Sequence, residues 1–268
     1  KQAKVIHFEI DPAEVDKNVK TDVAVLGDVK ESLAALLPLV EAKSHEAWHN
    51  EFKEKYKIEL ESVINDELNP KGEGISMGET IEMINKHSNG DAIMVSDVGQ
   101  HQMFTCCYSK FNQSKSNITS GGLGTMGFAL PAAIGAKMGQ PDREVVAIIG
   151  DGGFQMTIQE LGTIFQTRVP VKIVVLNNEF LGMVRQWQQL FFDKRYASTE
   201  MINPNFIAIA EGYYIKAKKV TKREDLDAAV AEMLASKEAY FLEVMVEKEN
   251  NVFPMIPTGA SVSDIRLS

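Results

Sequence analysis

The sequence predicts an α/β protein, a parallel sheet flanked by helices on both faces and preceded by a smaller α/β remnant. Short apolar runs at 92–96, 145–149, 171–176, 213–217 and 241–246 have the length and β-branched content of buried strands. Helical segments separate most of them, which implies parallel strands with both sheet faces covered. The 268 residues, 44% hydrophobic and 24% charged, suffice for one large domain, or a domain plus a fragment.

Taken in order, residues 4–11 read as a buried strand and 23–26 as a short second one. Gly27-Asp28 then opens an apolar helix that ends near Pro38, so residues 1–42 make a small α/β element. From 44 to about 66 the pattern is highly charged and helical. Trp48, Phe52 and Tyr56 fall on one face there, a stripe expected to pack on a neighbouring domain. Asn69-Pro70-Lys71-Gly72-Glu73-Gly74 is a breaker cluster, which makes 43–73 a helical linker and 74–268 the main domain. Residues 251–268, with Pro254, Pro257 and Gly259, read either as an ordered tail or as a flexible lid.

The chain opens without an initiator Met, inside an apolar strand, and has neither a signal-peptide core nor Arg- and Ser-rich transit character. It is expected to be cut from a longer chain. A formal net charge of −9 argues against nucleic acid or an anionic membrane as partner. No stretch approaches the roughly 20 apolar residues of a membrane span, so a soluble protein is expected. Cys106 and Cys107, the only cysteines, are adjacent in a helical segment and read as buried free thiols of a reducing compartment.

Ligands of open parallel sheets bind beyond the carboxyl ends of the strands. Three loops there carry chemistry. Gly150-Asp151-Gly152-Gly153 follows the strand at 145–149 and opens a helix running through Met156, Leu161 and Phe165. Asn177-Asn178-Glu179-Phe180-Leu181-Gly182 follows the strand at 171–176, and Asp97-Val98-Gly99-Gln100-His101-Gln102 the strand at 92–96. One carboxylate, one amide oxygen and one carbonyl, completed by phosphate oxygens and water, form the all-oxygen octahedral set that Mg²⁺ prefers. Two helix starts directed at one diphosphate would bind it without a basic patch. Taken alone, Asp151 reads first as a helix N-cap, and the pairing with the second loop reverses that.

Gly150-Asp151-Gly152, a strand-helix-strand unit and then Asn177-Asn178 resembles the magnesium-diphosphate motif of the thiamine-diphosphate enzymes. Within that family three segments, 98–104, 119–127 and 177–188, look like the biosynthetic acetolactate synthases, which begin branched-chain amino-acid synthesis. The resemblance extends over essentially the whole chain, including Asn203-Pro204 and 253–257. Residues 1 to about 40 are similar to the end of the family's central, FAD-carrying domain. The pyrimidine-binding domain, which holds the glutamate that activates the cofactor, finds no counterpart in these residues.

The resemblance implies thiamine diphosphate, Mg²⁺ and, in the full-length enzyme, FAD as cofactors. It assigns magnesium to Asp151, Asn178 and the Phe180 carbonyl, and the diphosphate to Gln100, His101, Gly152 and Gly153, with Gly124, Gly182 and Met183 also around the cofactor. Met126 would support the bent cofactor from below, a role to weigh against plain core packing, and Met156, also readable as core, would line the substrate side with Met183. Trp187 would stand at the channel mouth, and Glu9 and Asp28 at FAD-contacting positions. His101 would act by position, binding an anion or capping the turn, with general-base work as the alternative.

The implied reaction joins pyruvate to a second 2-keto acid, pyruvate or 2-oxobutanoate, with loss of CO₂. The implied partners are the pyrimidine-binding domain, a homodimer or higher homo-oligomer and a regulatory small subunit. Location would be cytoplasmic in a bacterium and organellar in a eukaryote. This chain alone is expected to bind the magnesium diphosphate weakly and not to turn over. The rival readings are another thiamine-diphosphate-dependent 2-keto acid decarboxylase or oxidase, and a noncatalytic nucleotide-binding module, although no Walker lysine follows the glycines.

Overall fold

The computed structural model describes residues 3–268, which divide into two compact units, one ending at Lys55 and the other spanning Tyr56–Ser268. In the first, β1 (Ile6–Glu9) and β2 (Val23–Leu26) pair in parallel, Ile6 opposite Val23. Helix α1 (Val29–Leu36) starts on Asp28, whose carboxylate accepts the Lys30 N–H at 2.8 Å. The strand expected at 4–11 is thus shorter, and it is not buried. Ile6 and Val23 are more than half exposed, because a two-stranded sheet with one short helix has no second layer to cover it.

Helix α2 (Glu46–Glu59) continues through a π-turn at Leu60–Ile64 into α3 (Asn65–Leu68). Trp48 and Phe52 meet edge to face at 4.9 Å. Both rings and Tyr56 stay more than half exposed, so the stripe is not packed away among the described residues.

The second unit is built in chain order from α4 (Met77–Ser88), β3 (Ile93–Ser96), α5 (Gln100–Tyr108), β4 (Asn117–Thr119), α6 (Ala129–Gly139) and β5 (Val145–Gly150). Then come α7 (Asp151–Met156), α8 (Leu161–Thr167), β6 (Lys172–Asn177), α9 (Gly182–Phe191), α10 (Phe206–Gly212), β7 (Lys216–Val220), α11 (Arg223–Ala235) and β8 (Tyr240–Met245). The six strands form one wholly parallel sheet in the order β4-β3-β5-β6-β8-β7.

Strand alternation sorts the apolar side chains onto two faces. Val146 and Ile148 pack with Ile81 of α4, Phe104 of α5 and Val230 of α11. Val145, Ala147 and Ile149 pack with Leu130 of α6, Phe154 of α7 and Phe206 of α10. Because helices cover both faces, all six residues of β5 and of β6 are buried, hence the continuous apolar stretches 145–149 and 173–176 within them. Burying one such Val, Leu or Ile side chain contributes about 1.5–3 kcal/mol.

Three expectations need correcting. The edge strand β7 lies at Lys216–Val220 rather than 213–217, since Tyr213 and Tyr214 belong to the turn that ends α10. Strand β4 is an additional element, three residues inserted ahead of the glycine-rich turn. The helix expected from Asp151 through Phe165 is broken at Thr157, where φ is −133° and the hydroxyl donates to the Gly127 carbonyl at 3.0 Å. A tertiary contact there replaces the helical one.

Candidate functional site

At the carboxyl ends of β3, β5 and β6 lies an open cavity of about 140 Å³. The β3 loop supplies Gln100 and His101, the β5 loop Asp151, Gly152 and Gly153, and the β6 loop Asn178, Phe180, Gly182 and Met183. Met126 reaches the same cavity from the glycine-rich turn. Residues from four distant stretches of sequence therefore converge.

Helices α5, α7 and α9 all start at this cavity, and in none of the three does the N-cap residue supply a side-chain acceptor to the first turn. The N-cap of α7 is Gly150, so Asp151 is not the capping residue; it is the first helical residue, and its Oδ1 accepts the Gly152 N–H at 3.1 Å. Uncapped first-turn N–H groups and the positive ends of the helix dipoles suit a bound anion. A side chain at Gly182 would overlap the Gln100 carboxamide, so the start of α9 can approach the site only as glycine.

None of the residues lining the cavity is Lys or Arg. The anion-facing groups are neutral. Burial pushes the His101 imidazole down to about 4, against a smaller upward pull from the Asp97 carboxylate. His101 is therefore uncharged near neutrality, and its buried Nε2 has no hydrogen-bond partner among the described residues. Such an atom invites a ligand. Gln100 is held on both sides of its amide nitrogen, donating to Gln186 Oε1 at 2.8 Å and to the Asn250 carbonyl at 2.9 Å.

Burial raises the Asp151 carboxyl to about 6, partly offset by hydrogen bonds, chiefly from the Asn203 amide at 2.7 Å. Asn178 is buried beside it, its Oδ1 accepting the Phe180 N–H at 3.2 Å. Among the described residues no three His, Cys, Asp or Glu side chains are grouped to hold a metal. A cation here would need ligand oxygens in addition to one carboxylate, one amide and one carbonyl, the donor set of Mg²⁺ on a phosphate. The residues present fit thiamine diphosphate and magnesium.

Other predicted residues fall elsewhere. Gly124 sits in the glycine-rich turn, outside the cavity. Met156, at the end of α7, is 54% exposed and belongs neither to the cavity nor to the core. Trp187 lines an adjoining apolar cavity with Met103 and Met255, and Met183 borders both spaces. In the other unit, Glu9 and Asp28 stand at or just beyond the carboxyl ends of β1 and β2, each accepting backbone N–H groups with one carboxylate oxygen. Among the described residues the second oxygen of each carboxylate accepts no hydrogen bond, and that of Glu9 lies 3.7 Å from His7 Nε2. Cys106 and Cys107 are both exposed, contrary to expectation, because His101, Phe104, Thr105 and Tyr108 take the buried face of α5.

Several structural contributors were missed. Asp97, fully buried, accepts the Gly127 and Ala129 N–H groups at 3.0 Å each and so fixes the turn that carries Met126. Asn250 and Val252 strap the tail across α5 and α9 through Gln100, Arg185 and Gln186. Neither pattern has a local sequence signal, since each joins segments far apart in the chain.

Residues 97–244 match the model of the thiamine pyrophosphate enzyme C-terminal TPP binding domain, and residues 1–36 that of the thiamine pyrophosphate enzyme central domain. The chain is 42% identical over 269 residues to an acetolactate synthase large subunit of Parasynechococcus marenigrum, covering 97% of this chain and 42% of that protein. It is likewise 42% identical over 260 residues to an acetolactate synthase large subunit of Lactococcus lactis, covering 97% and 44%. Against the chloroplastic acetolactate synthase 2 of Nicotiana tabacum the identity is 40% over 281 residues, covering 98% and 41%. The chain spans less than half the length of these relatives. No helix among the described residues is long and apolar enough to cross a membrane. By the family model that covers more than half of it, this chain belongs to the thiamine pyrophosphate enzyme family.

Proposed function

We propose that this chain supplies the magnesium- and diphosphate-binding half of an acetolactate synthase active site, which joins pyruvate to pyruvate or 2-oxobutanoate with loss of CO₂. One observation carries the reading. Asp151, Asn178 and the Phe180 carbonyl meet the uncapped starts of α5, α7 and α9 and the unpaired Nε2 of neutral His101 in a single cavity.

In that reading Asp151, Asn178 and Phe180 hold Mg²⁺, while Gln100, His101, Gly152 and Gly153 hold the diphosphate. Thiamine diphosphate, when bound, supplies the nucleophilic carbon and the electron sink for decarboxylation. Met126 supports it, and being unbranched it adapts to an irregular surface. Met183 and Trp187 exclude water from the substrate side, joining the cofactor cavity to the apolar one beside it.

The reading extends to a longer protein in which a pyrimidine-binding domain, or a second copy of the chain, completes the site. Supporting this, the chain spans only 42% and 44% of the two acetolactate synthase large subunits it matches. Glu9 and Asp28 suit FAD in that longer protein, and the large-subunit relatives favour a smaller regulatory subunit.

Calorimetry tests the reading. Thiamine diphosphate is expected to bind weakly and only with Mg²⁺, without competition from ATP, and Asp151→Ala is expected to abolish the binding. Unchanged affinity in Asp151→Ala, or competition by ATP, would overturn it. Acetolactate formed from pyruvate, thiamine diphosphate and Mg²⁺ by this chain alone would refute the view that it holds only half the site.

A further inference from the structure

We infer that Asn203 is the positioning residue of the metal site, its amide holding the Asp151 carboxylate and tying it to the loop that carries Asn178 and Phe180. The inference rests on the magnesium reading given above. It begins with the path of the chain. After α9 the backbone returns alongside the β6 loop, where Leu181 donates to the Thr199 carbonyl at 2.8 Å and Met201 to the Glu179 carbonyl at 2.9 Å. Phe180 and Glu200 form an antiparallel bridge, and the Phe180 and Tyr196 rings meet at 5.9 Å.

This brace grips a loop that needs one. Glu179 has φ of 55°, a left-handed conformation uncommon for a residue with a side chain, and such conformations persist where the surroundings impose them. The Phe180 carbonyl follows directly from that turn.

Asn203 ends the brace with its amide fully used. Nδ2 donates to Asp151 Oδ2 at 2.7 Å and to Asn177 Oδ1 at 3.0 Å, while Oδ1 accepts from Gln155 Nε2 at 2.9 Å. Turning the amide over would set its oxygen against a carboxylate, so one orientation is enforced. Asn177 is fixed in turn by donating to Glu243 at 2.8 Å, and that buried carboxylate accepts from Lys219 at 3.1 Å. A continuous chain of hydrogen bonds therefore runs from the edge strand β7 to Asp151.

The choice of an amide has a consequence. Lys or Arg in this position would hold the carboxylate but neutralise it, competing with a bound cation. An amide orients the carboxylate and leaves its full charge for the metal.

The test is Mn²⁺ binding to the full chain in the presence of thiamine diphosphate, followed by electron paramagnetic resonance. For Asn203→Ala, Mn²⁺ affinity is expected to fall about 10–100-fold, the range typical of residues that orient metal ligands. The spectrum of bound Mn²⁺ should broaden as the ligand geometry loosens. Affinity for thiamine diphosphate at saturating Mn²⁺ should stay close to that of the parent. A residue that merely supported the fold would weaken both ligands together and leave the bound-metal spectrum alone. Asn203 lies in a half-exposed loop, and Gln155→Leu, which frees its amide to rotate, should give the same pattern more weakly. If the parent binds Mn²⁺ and Asp151→Ala does not, while Asn203→Ala matches the parent in affinity and spectrum, the inference fails alone. A parent chain that shows no metal-dependent binding overturns the magnesium reading and the inference with it.

Discussion

Gly153→Ala should destabilise the protein, although alanine is the better helix former. Gly153 lies in the first turn of α7 with its α-carbon against the Asp97 carboxylate, and an added Cβ would overlap Oδ2. Asp97 is fully buried and short, and its two oxygens are committed to the Gly127 and Ala129 N–H groups at 3.0 Å each. It can yield only by giving up at least one of them. A hydrogen bond to a charged acceptor contributes about 1.5–3 kcal/mol, so partial to full displacement costs about 2–5 kcal/mol. Alanine recovers up to about 1 kcal/mol of helix propensity. The net expectation is a loss of about 1–4 kcal/mol, a substantial share of the 5–15 kcal/mol typical of a folded protein. Urea unfolding followed by circular dichroism measures it. In an Asp97→Ala background the overlap is gone, and the cost of Gly153→Ala should fall below about 1 kcal/mol. A Gly153→Ala variant within about 0.5 kcal/mol of the parent, or an equal cost in both backgrounds, would refute the reasoning.

Two further predictions concern groups around the site. His101 is pushed down to about 4 in the folded state, against about 6.5 when unfolded, so below pH 6.5 the unfolded chain gains a proton that the folded one refuses. Its contribution to stability is therefore intact above pH 6.5 and declines between 6.5 and 4, by up to about 3 kcal/mol; urea midpoints across that window should slope less in His101→Gln than in the parent. Arg185, fully buried, donates to the Asn250 carbonyl at 2.6 Å and to the Asn251 side chain at 3.1 Å, so Arg185→Met should release the tail. Amide exchange at residues 250–256 is expected to rise about tenfold, with the melting temperature little changed because an apolar residue replaces a buried charge; a melting temperature that fell sharply with tail protection intact would contradict this.

What could be read from the sequence follows from where each residue's constraint originates. The central strands were legible because helices bury both faces, which writes predominantly apolar runs into β3, β5, β6 and β8, interrupted in β8 only by the buried Glu243. At the sheet edges that rule lapses. The strand Lys216-Ala-Lys-Lys-Val220 is half solvated, so its apolar signal slid onto Tyr213, and Asn117-Ile-Thr119 is too short to give one. Asp151, Asn178, Gln100 and His101 were legible because they occupy loops directly after strong strands, where ligands bind. Asn203 stands in a loop with no strong strand directly before it. Its role depends on a return of the chain that no local pattern encodes. The cysteines were misread for a related reason, since the placement of α5 decides which of its apolar-looking faces turns inward.

The charge arrangement explains why the proposed ligand and its metal must arrive together. A diphosphate approaching this cavity meets helix N-termini, a neutral imidazole and amides, but no cationic side chain. It also meets Asp151, whose carboxyl, raised to about 6, is still largely ionised at neutral pH. Polarised N–H groups attract an anion only within the first helical turn, whereas the repulsion from a carboxylate in a partly desolvated site is comparable or larger. Without a cation the two effects oppose each other. A divalent ion held by Asp151 would offset that repulsion, so in the proposed function metal and diphosphate affinities would be coupled through the one acidic residue lining the cavity. The amide of Asn203 then has a clear purpose: it keeps that residue oriented without supplying a charge that would break the coupling.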